Sequence, residues 1–164
     1  MKTAKYLLLI ACLVLPFTAC KKHDAAAMAE AEDVPLSVPA TDGDTEWKAY
    51  LQDVVTRNMG KITNSPFLYY LPSQSDPEFE AKYERQLDQA KLAMARGIVG
   101  GNLIAFGSPE SARMADIAVA SFAEVPADTM KGVRVLFIGK AEDNERVQAA
   151  LTPSGVDYVF VEAK

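Results

Sequence analysis

Apolar residues along this chain follow helical spacing up to about residue 96, and beyond it short apolar runs alternate with helical stretches. Trp47, Tyr50, Leu51, Val54 and Val55 fall three and four apart, which predicts a helix over about 45–58 ending near Gly60. Phe79, Tyr83, Leu87, Ala90 and Met94 keep that spacing and predict a longer helix over about 77–96, opened by Ser75-Asp76-Pro77-Glu78. The run 102–106 ends at Gly107, and Ser108 and Pro109 then open a helix to about 123. A second run, 133–138, ends at Gly139 and leads into a helix over about 142–151. Thr152-Pro153-Ser154-Gly155 turns the chain into a third run, 156–161.

Strands alternating with helices argue for a parallel sheet with right-handed crossovers. The expected fold is therefore a small three-layer, Rossmann-like α/β domain over residues 45–164, with a three-stranded parallel sheet preceded by two helices. A weak echo at an offset of 32 relates Ile104, Phe106, Gly107, Glu110 and Ala118 to Leu136, Ile138, Gly139, Glu142 and Ala150. Two βα units built by the same rules would produce it without duplication. One stretch fits this scheme poorly. Between Pro66 and Pro72 lie five consecutive large apolar or aromatic residues, in a connection of roughly 16 residues where helix–helix links usually have two to eight. Either it folds back over the core or forms an edge strand, or Phe67, Leu68, Tyr69 and Tyr70 form an exposed patch that docks a protein partner.

The amino terminus carries a different pattern. Lys2 and Lys5 precede an apolar stretch from Tyr6 to Phe17, then Thr18-Ala19-Cys20-Lys21-Lys22. A basic start, a short hydrophobic core and a small residue before a cysteine is the plan of a secretory signal peptide over residues 1–19. The run is about a dozen residues, short of the roughly 20 that span a bilayer, and it contains Pro16. Phe17-Thr18-Ala19-Cys20 resembles a bacterial lipobox, with Phe17 where Leu is usual. The resemblance covers these residues alone. It implies that the Cys20 thiol receives a diacylglycerol, that the chain is cut before it, and that the new amino terminus is acylated. Lys21, in place of Asp, resembles the outer-membrane-directed pattern. Leu9-Ile10-Ala11-Cys12 is a second possible lipobox, but cleavage there leaves a hydrophobic core of only five or six residues. An ordinary signal peptide or an uncleaved apolar start are the other readings. Residues 20–44, rich in Ala, Pro and charge, read as a lipidated, disordered tether with a random-coil span of about 25–30 Å.

Charge and chemistry narrow the function. Loss of Lys2 and Lys5 with the signal peptide takes the formal charge from −5 to −7, and an acidic domain repels phosphate backbones, so nucleic acid is not an expected partner. Cys20 is then the only cysteine, which excludes an internal disulfide. His23 is the only histidine and falls in the tether, so the domain holds no Ser–His–Asp or Cys–His arrangement and no imidazole or thiolate metal site. No cofactor is implied. Glu80, Glu84 and Asp88 with Arg85 and Lys91 read as a solvated helix face. Gly97-Ile98-Val99-Gly100-Gly101 precedes a strand rather than following one, so it reads as a helix cap and turn, not a phosphate loop. Ligands of open parallel sheets bind at the carboxyl ends of the strands, which here carry Gly107, Ser108, Gly139 and Lys140.

The leading expectation is a non-enzymatic, membrane-anchored envelope lipoprotein at the outer membrane facing the periplasm. It is held to the bilayer through acylated Cys20, and its domain binds a protein partner as an immunity-type inhibitor or scaffold. The alternatives are a small-ligand or anion-binding module at the Gly107/Gly139 edge and a carboxylate-dependent enzyme.

Overall fold

The computed structural model describes residues 37–164. The expected signal peptide, Cys12, Cys20, His23 and the expected tether up to residue 36 lie outside the described residues. Among those described, no helix is long and apolar enough to cross a membrane.

The elements run α1 (Asp44–Asn58), β1 (Phe67–Tyr70), α2 (Phe79–Arg96), β2 (Leu103–Gly107), α3 (Ser111–Phe122), β3 (Arg134–Gly139), α4 (Ala141–Leu151), a 3-10 turn (Thr152–Ser154) and β4 (Asp157–Glu162). The sheet has four strands in the order β1-β2-β3-β4, all parallel. The strand count of three is thus corrected to four, and the additional strand is the aromatic segment between the two prolines. Its Phe-Leu-Tyr-Tyr sequence has no polar alternation because Tyr69 turns to one face of the sheet and Tyr70 to the other. The flanking prolines sit just outside the ladder, where a missing N–H costs nothing. The second helix is corrected with it: α2 is the crossover from β1 to β2, not an element in front of the sheet.

Successive strands in one direction, joined by crossovers of one hand, place every crossover helix on the same face. Phe79, Ala90 and Met94 of α2, Met114, Ile117 and Phe122 of α3, and Val147 and Leu151 of α4 accordingly share one core with Ile104, Phe106, Val135 and Phe137. The opposite face is covered by α1, whose Trp47, Tyr50, Leu51, Val54 and Val55 pack on Leu103, Ala105, Leu136 and Ile138. Val38, ahead of α1, packs partly against that same cluster. β2 is buried along its whole length and β3 from its second residue, whereas β1 and β4 are only partly covered, as expected of central and edge strands.

Two smaller points bear on the sequence reading. The β2–β3 ladder pairs Ile104 with Val135, an offset of 31. The echo at 32 would match Ile104, which faces the three crossover helices, with Leu136, which faces α1. A one-residue slip exchanges the two faces, so the echo does not mark a structural repeat. The helices also start slightly later than their prolines suggest. Pro77 and Pro109 lie in turns in which the Asp76 carboxylate accepts from the Glu78 N–H at 2.7 Å and the Ser108 hydroxyl accepts from the Glu110 N–H at 2.9 Å.

Packing on both faces predicts an alkaline limit to stability. Burial raises the phenol pKa of Tyr50, Tyr69, Tyr70, Tyr83 and Tyr158 above the ordinary value of 10, with the Asp44 carboxylate adding to the effect at Tyr70. A raised folded-state value means that the unfolded chain loses these protons first. Stability is therefore intact below about pH 10 and declines as pH rises beyond it. Urea midpoints should fall steadily above that pH while phenolate absorbance lags behind that of the unfolded chain. A midpoint flat into strong alkali would contradict this.

Candidate functional site

The free edge of β1 is where the expected docking residues reach the surface. Its inner side pairs with β2, so the outward N–H and C=O groups of alternate residues have no neighbouring strand among the described residues. Phe67 is 46% exposed and Leu68 37%, two of the four exposed large apolar side chains among the described residues. Tyr69 does not belong to this surface. It is buried and stacks on Phe106 with centroids 5.0 Å apart, so it is a core residue. Tyr70 is half-buried, and its hydroxyl donates to Asp44 Oδ1 at 2.8 Å.

Off this edge lies a cleft of about 340 Å³. Asp44 and Lys48 of α1 wall it on one face of the sheet, and Lys82, Arg85 and Gln86 of α2 wall it on the other, with Leu68 and Tyr70 of β1 between them. Residues from both faces can border one cleft only where the sheet ends, so its floor is the outer margin of β1. The charges in it are unevenly satisfied. Lys48 donates to Asp44 Oδ2 at 2.9 Å and lies 5.1 Å from the Tyr70 ring centre. That hydrogen bond, with the Tyr70 hydroxyl, holds the Asp44 carboxyl below its usual range. Lys82 is paired with Asp76, which raises its pKa. Arg85 is exposed, and no acidic side chain among the described residues forms an ion pair with it.

A larger groove, about 800 Å³, runs between the carboxyl-terminal halves of α2 and α3 and exposes Leu92. Its charged residues, Asp88, Lys91 and Glu124, are of mixed sign, and none of the residues expected from sequence lines it. The smaller cleft is the better candidate because it joins an unpaired backbone edge to exposed apolar groups and an uncompensated cation.

The carboxyl edge of the sheet is occupied by the protein itself. A Cβ on Gly107 would stand 2.3 Å from Leu51 Cδ2, so α1 rests directly on that glycine. Ser108 is buried; its hydroxyl donates to the Leu71 carbonyl at 3.0 Å and accepts from the Glu110 N–H. A Cβ on Gly139 would meet Ser111 Oγ at 2.6 Å, and the same oxygen accepts from the Lys140 N–H at 2.8 Å. Ser111 in turn donates to Asp143 Oδ2 at 2.7 Å. The groups that would cradle an anion are therefore consumed internally, and only the Lys140 side chain remains exposed. The topology explains this: a strand order that never reverses has no switch point, so no crevice opens between crossovers leaving to opposite faces.

Other chemistry is sparse. Among the described residues no group of three or more His, Cys, Asp or Glu is placed to hold a metal ion. The 97–101 stretch forms a helix end and turn, with the Gly97 N–H bonded to the Met94 carbonyl and the Gly101 N–H to the Gly132 carbonyl. Sequence reasoning singles out Phe67 and Leu68, which are exposed at this edge, but it names neither Lys48 nor Lys82 and reads Arg85 as part of a solvated helix face. Glu80, which shares the α2 surface, pairs instead with Arg113 of α3 at 2.8 Å. Only recognition of 67–70 as the edge strand would have brought α1 and α2 to either side of it. The chain matches no protein-family model, no curated protein and no solved structure.

Proposed function

We propose that this chain is a non-enzymatic, lipid-anchored envelope protein, attached through acylated Cys20 at the outer membrane, whose α/β domain binds a protein partner at the β1 edge. The observation that carries the reading is the pairing of exposed Phe67 and Leu68 with an unpaired strand edge. Exposed apolar groups beside unsatisfied backbone are a liability unless something covers them. An immunity-type inhibitor and an envelope scaffold both fit, since each needs a surface and no catalytic group. The alternative of a ligand module draws no support from the occupied carboxyl edge.

The test is to place a photo-crosslinking residue at position 67 in the full chain, irradiate envelope fractions and resolve the adducts. One discrete adduct is expected, reduced about tenfold or more by Leu68→Ser in the same chain. Leu68 is partly exposed, so its replacement should shift thermal unfolding by only a few degrees. Absence of any discrete adduct, or one indifferent to Leu68→Ser, would overturn the proposal.

A further inference from the structure

We infer that the β1 edge accepts an extended, acidic peptide segment of its partner as a fifth strand; this rests on the docking reading above and specifies its mode. Three features converge on it. The first is the absence of edge protection. Free edges are usually blunted by charged side chains on the strand. β4, the opposite edge, follows that rule with Asp157 and Glu162 at its two ends. β1 carries no charged residue at all, and only its shortness and its flanking prolines limit it.

The second feature is the shape of the cleft. Walls contributed by α1 and α2 from opposite faces flank the edge itself, so a strand laid beside β1 would be gripped on both sides. Main-chain hydrogen bonds to β1 would supply affinity, and alternate side chains would fall towards α1 and towards α2, as in other recognition by strand addition. Pro66 and Pro72 confine the pairing to the residues between them, a length of roughly 13 Å over the four residues of β1.

The third feature is charge. Acidic residues outnumber basic ones by 22 to 17 in the chain, yet the cleft is lined by three cations and one carboxylate. Lys48 is already paired with Asp44 and Lys82 with Asp76, which leaves Arg85 without a carboxylate among the described residues. A planar guanidinium beside a strand groove suits one carboxylate, on a residue of the incoming segment that falls towards α2 or at its carboxyl terminus. The same guanidinium favours an acidic segment over a second copy in this position, since β1-to-β1 pairing would bring two Arg85 side chains together without supplying either a carboxylate.

The experiment is a selection of displayed random octapeptides on the full mature chain held in detergent. Enriched peptides should alternate β-branched or aromatic residues with others and carry Asp or Glu in one fixed register. N-methylation along a selected peptide should abolish binding at every second residue and spare the residues between, a periodicity that contact through side chains alone would not produce. Arg85→Glu should weaken binding tenfold or more, and changing the peptide's acidic residue to Lys should restore it. Amidating the peptide terminus separates a terminal carboxylate from a side-chain one. No enrichment, no two-residue periodicity, indifference to Arg85→Glu, or concentration-dependent self-association that displaces the peptides would each overturn strand addition. If the crosslink at position 67 persists in envelope fractions despite such a result, docking stands and only its mode falls; if the crosslink is absent as well, both fall.

Discussion

Leu51→Ala is expected to lower the stability of the domain by about 2–5 kcal/mol, and Gly107→Ala by about 1–3 kcal/mol, while the two together should cost less than their sum. Leu51 is fully buried on α1, and its two terminal methyls stand over Gly107 at the end of β2. Along β2, Leu103, Ala105 and Gly107 share the face that α1 covers, and the series shrinks from Leu to Gly as the helix comes closer. Removing the leucine leaves a cavity under the only helix on that face among the described residues. Adding a methyl at Gly107 instead forces the leucine out of its place. In the double variant the new methyl occupies the vacated space, so a coupling of roughly 1–2 kcal/mol is expected. Urea unfolding of the four proteins measures it, with midpoints compared at equal slope. Strict additivity, or a neutral Gly107→Ala, would show that α1 does not rest on β2 in this way.

That contact also shows what could be read from sequence and what could not. The helical spacing of Trp47 to Val55 was sufficient to locate α1, because an amphipathic stripe is a local property. The runs ending at Gly107 and Gly139 were legible as strands for the same reason, and both glycines were singled out. Their meaning was not legible, since a glycine that admits a ligand and a glycine that admits Leu51 look alike until the topology is known. β1 was harder. Four residues are too few to display a period, and Phe-Leu-Tyr-Tyr is apolar on both faces because it packs between two helices. Its flanking prolines read as loop signals, yet they are what an edge strand tolerates at its ends. With the edge strand only one of the readings of this segment and not counted in the sheet, α2 reads as an extra helix instead of a crossover, and nothing in the sequence brings Lys48 and Arg85 to one cleft. In sequence Arg85 lies among balanced charges on α2, but Glu80 of that same helix turns to Arg113. The proposed docking site is thus half legible: its apolar residues lie next to one another in sequence, while its charges meet only through the fold.

Arg146→Ala is expected to be the most damaging charge change in the domain. The Asp143 side chain is 8% exposed, and its Oδ1 accepts from Arg146 Nε at 3.1 Å and Nη2 at 2.8 Å, while Oδ2 accepts from the Ser111 hydroxyl. The same guanidinium reaches α3 twice, donating to Asp116 Oδ1 at 2.6 Å and to the Ala112 carbonyl at 2.8 Å. One side chain on α4 therefore fixes the start of α3, and with it the Ser111 hydroxyl that accepts the Lys140 N–H and closes the carboxyl edge of the sheet. Its removal leaves a buried carboxylate with a single neutral donor. Breaking a fully buried pair costs about 3–5 kcal/mol. Arg146 is 40% exposed, so water can partly replace it, and a loss of roughly 2–3 kcal/mol is expected here. Arg146→Lys should recover only part of that, because a point charge on a flexible stem cannot serve Asp143, Asp116 and Ala112 together. The decisive comparison adds Asp143→Asn to Arg146→Ala. If the penalty comes from an unpaired buried charge, the neutral amide should make the double variant more stable than Arg146→Ala alone. If it comes from lost packing between α3 and α4, the second change should give no recovery. Recovery would establish that the charge of Asp143, and not packing alone, makes Arg146 necessary where Ser111 and Lys140 close the edge at Gly139.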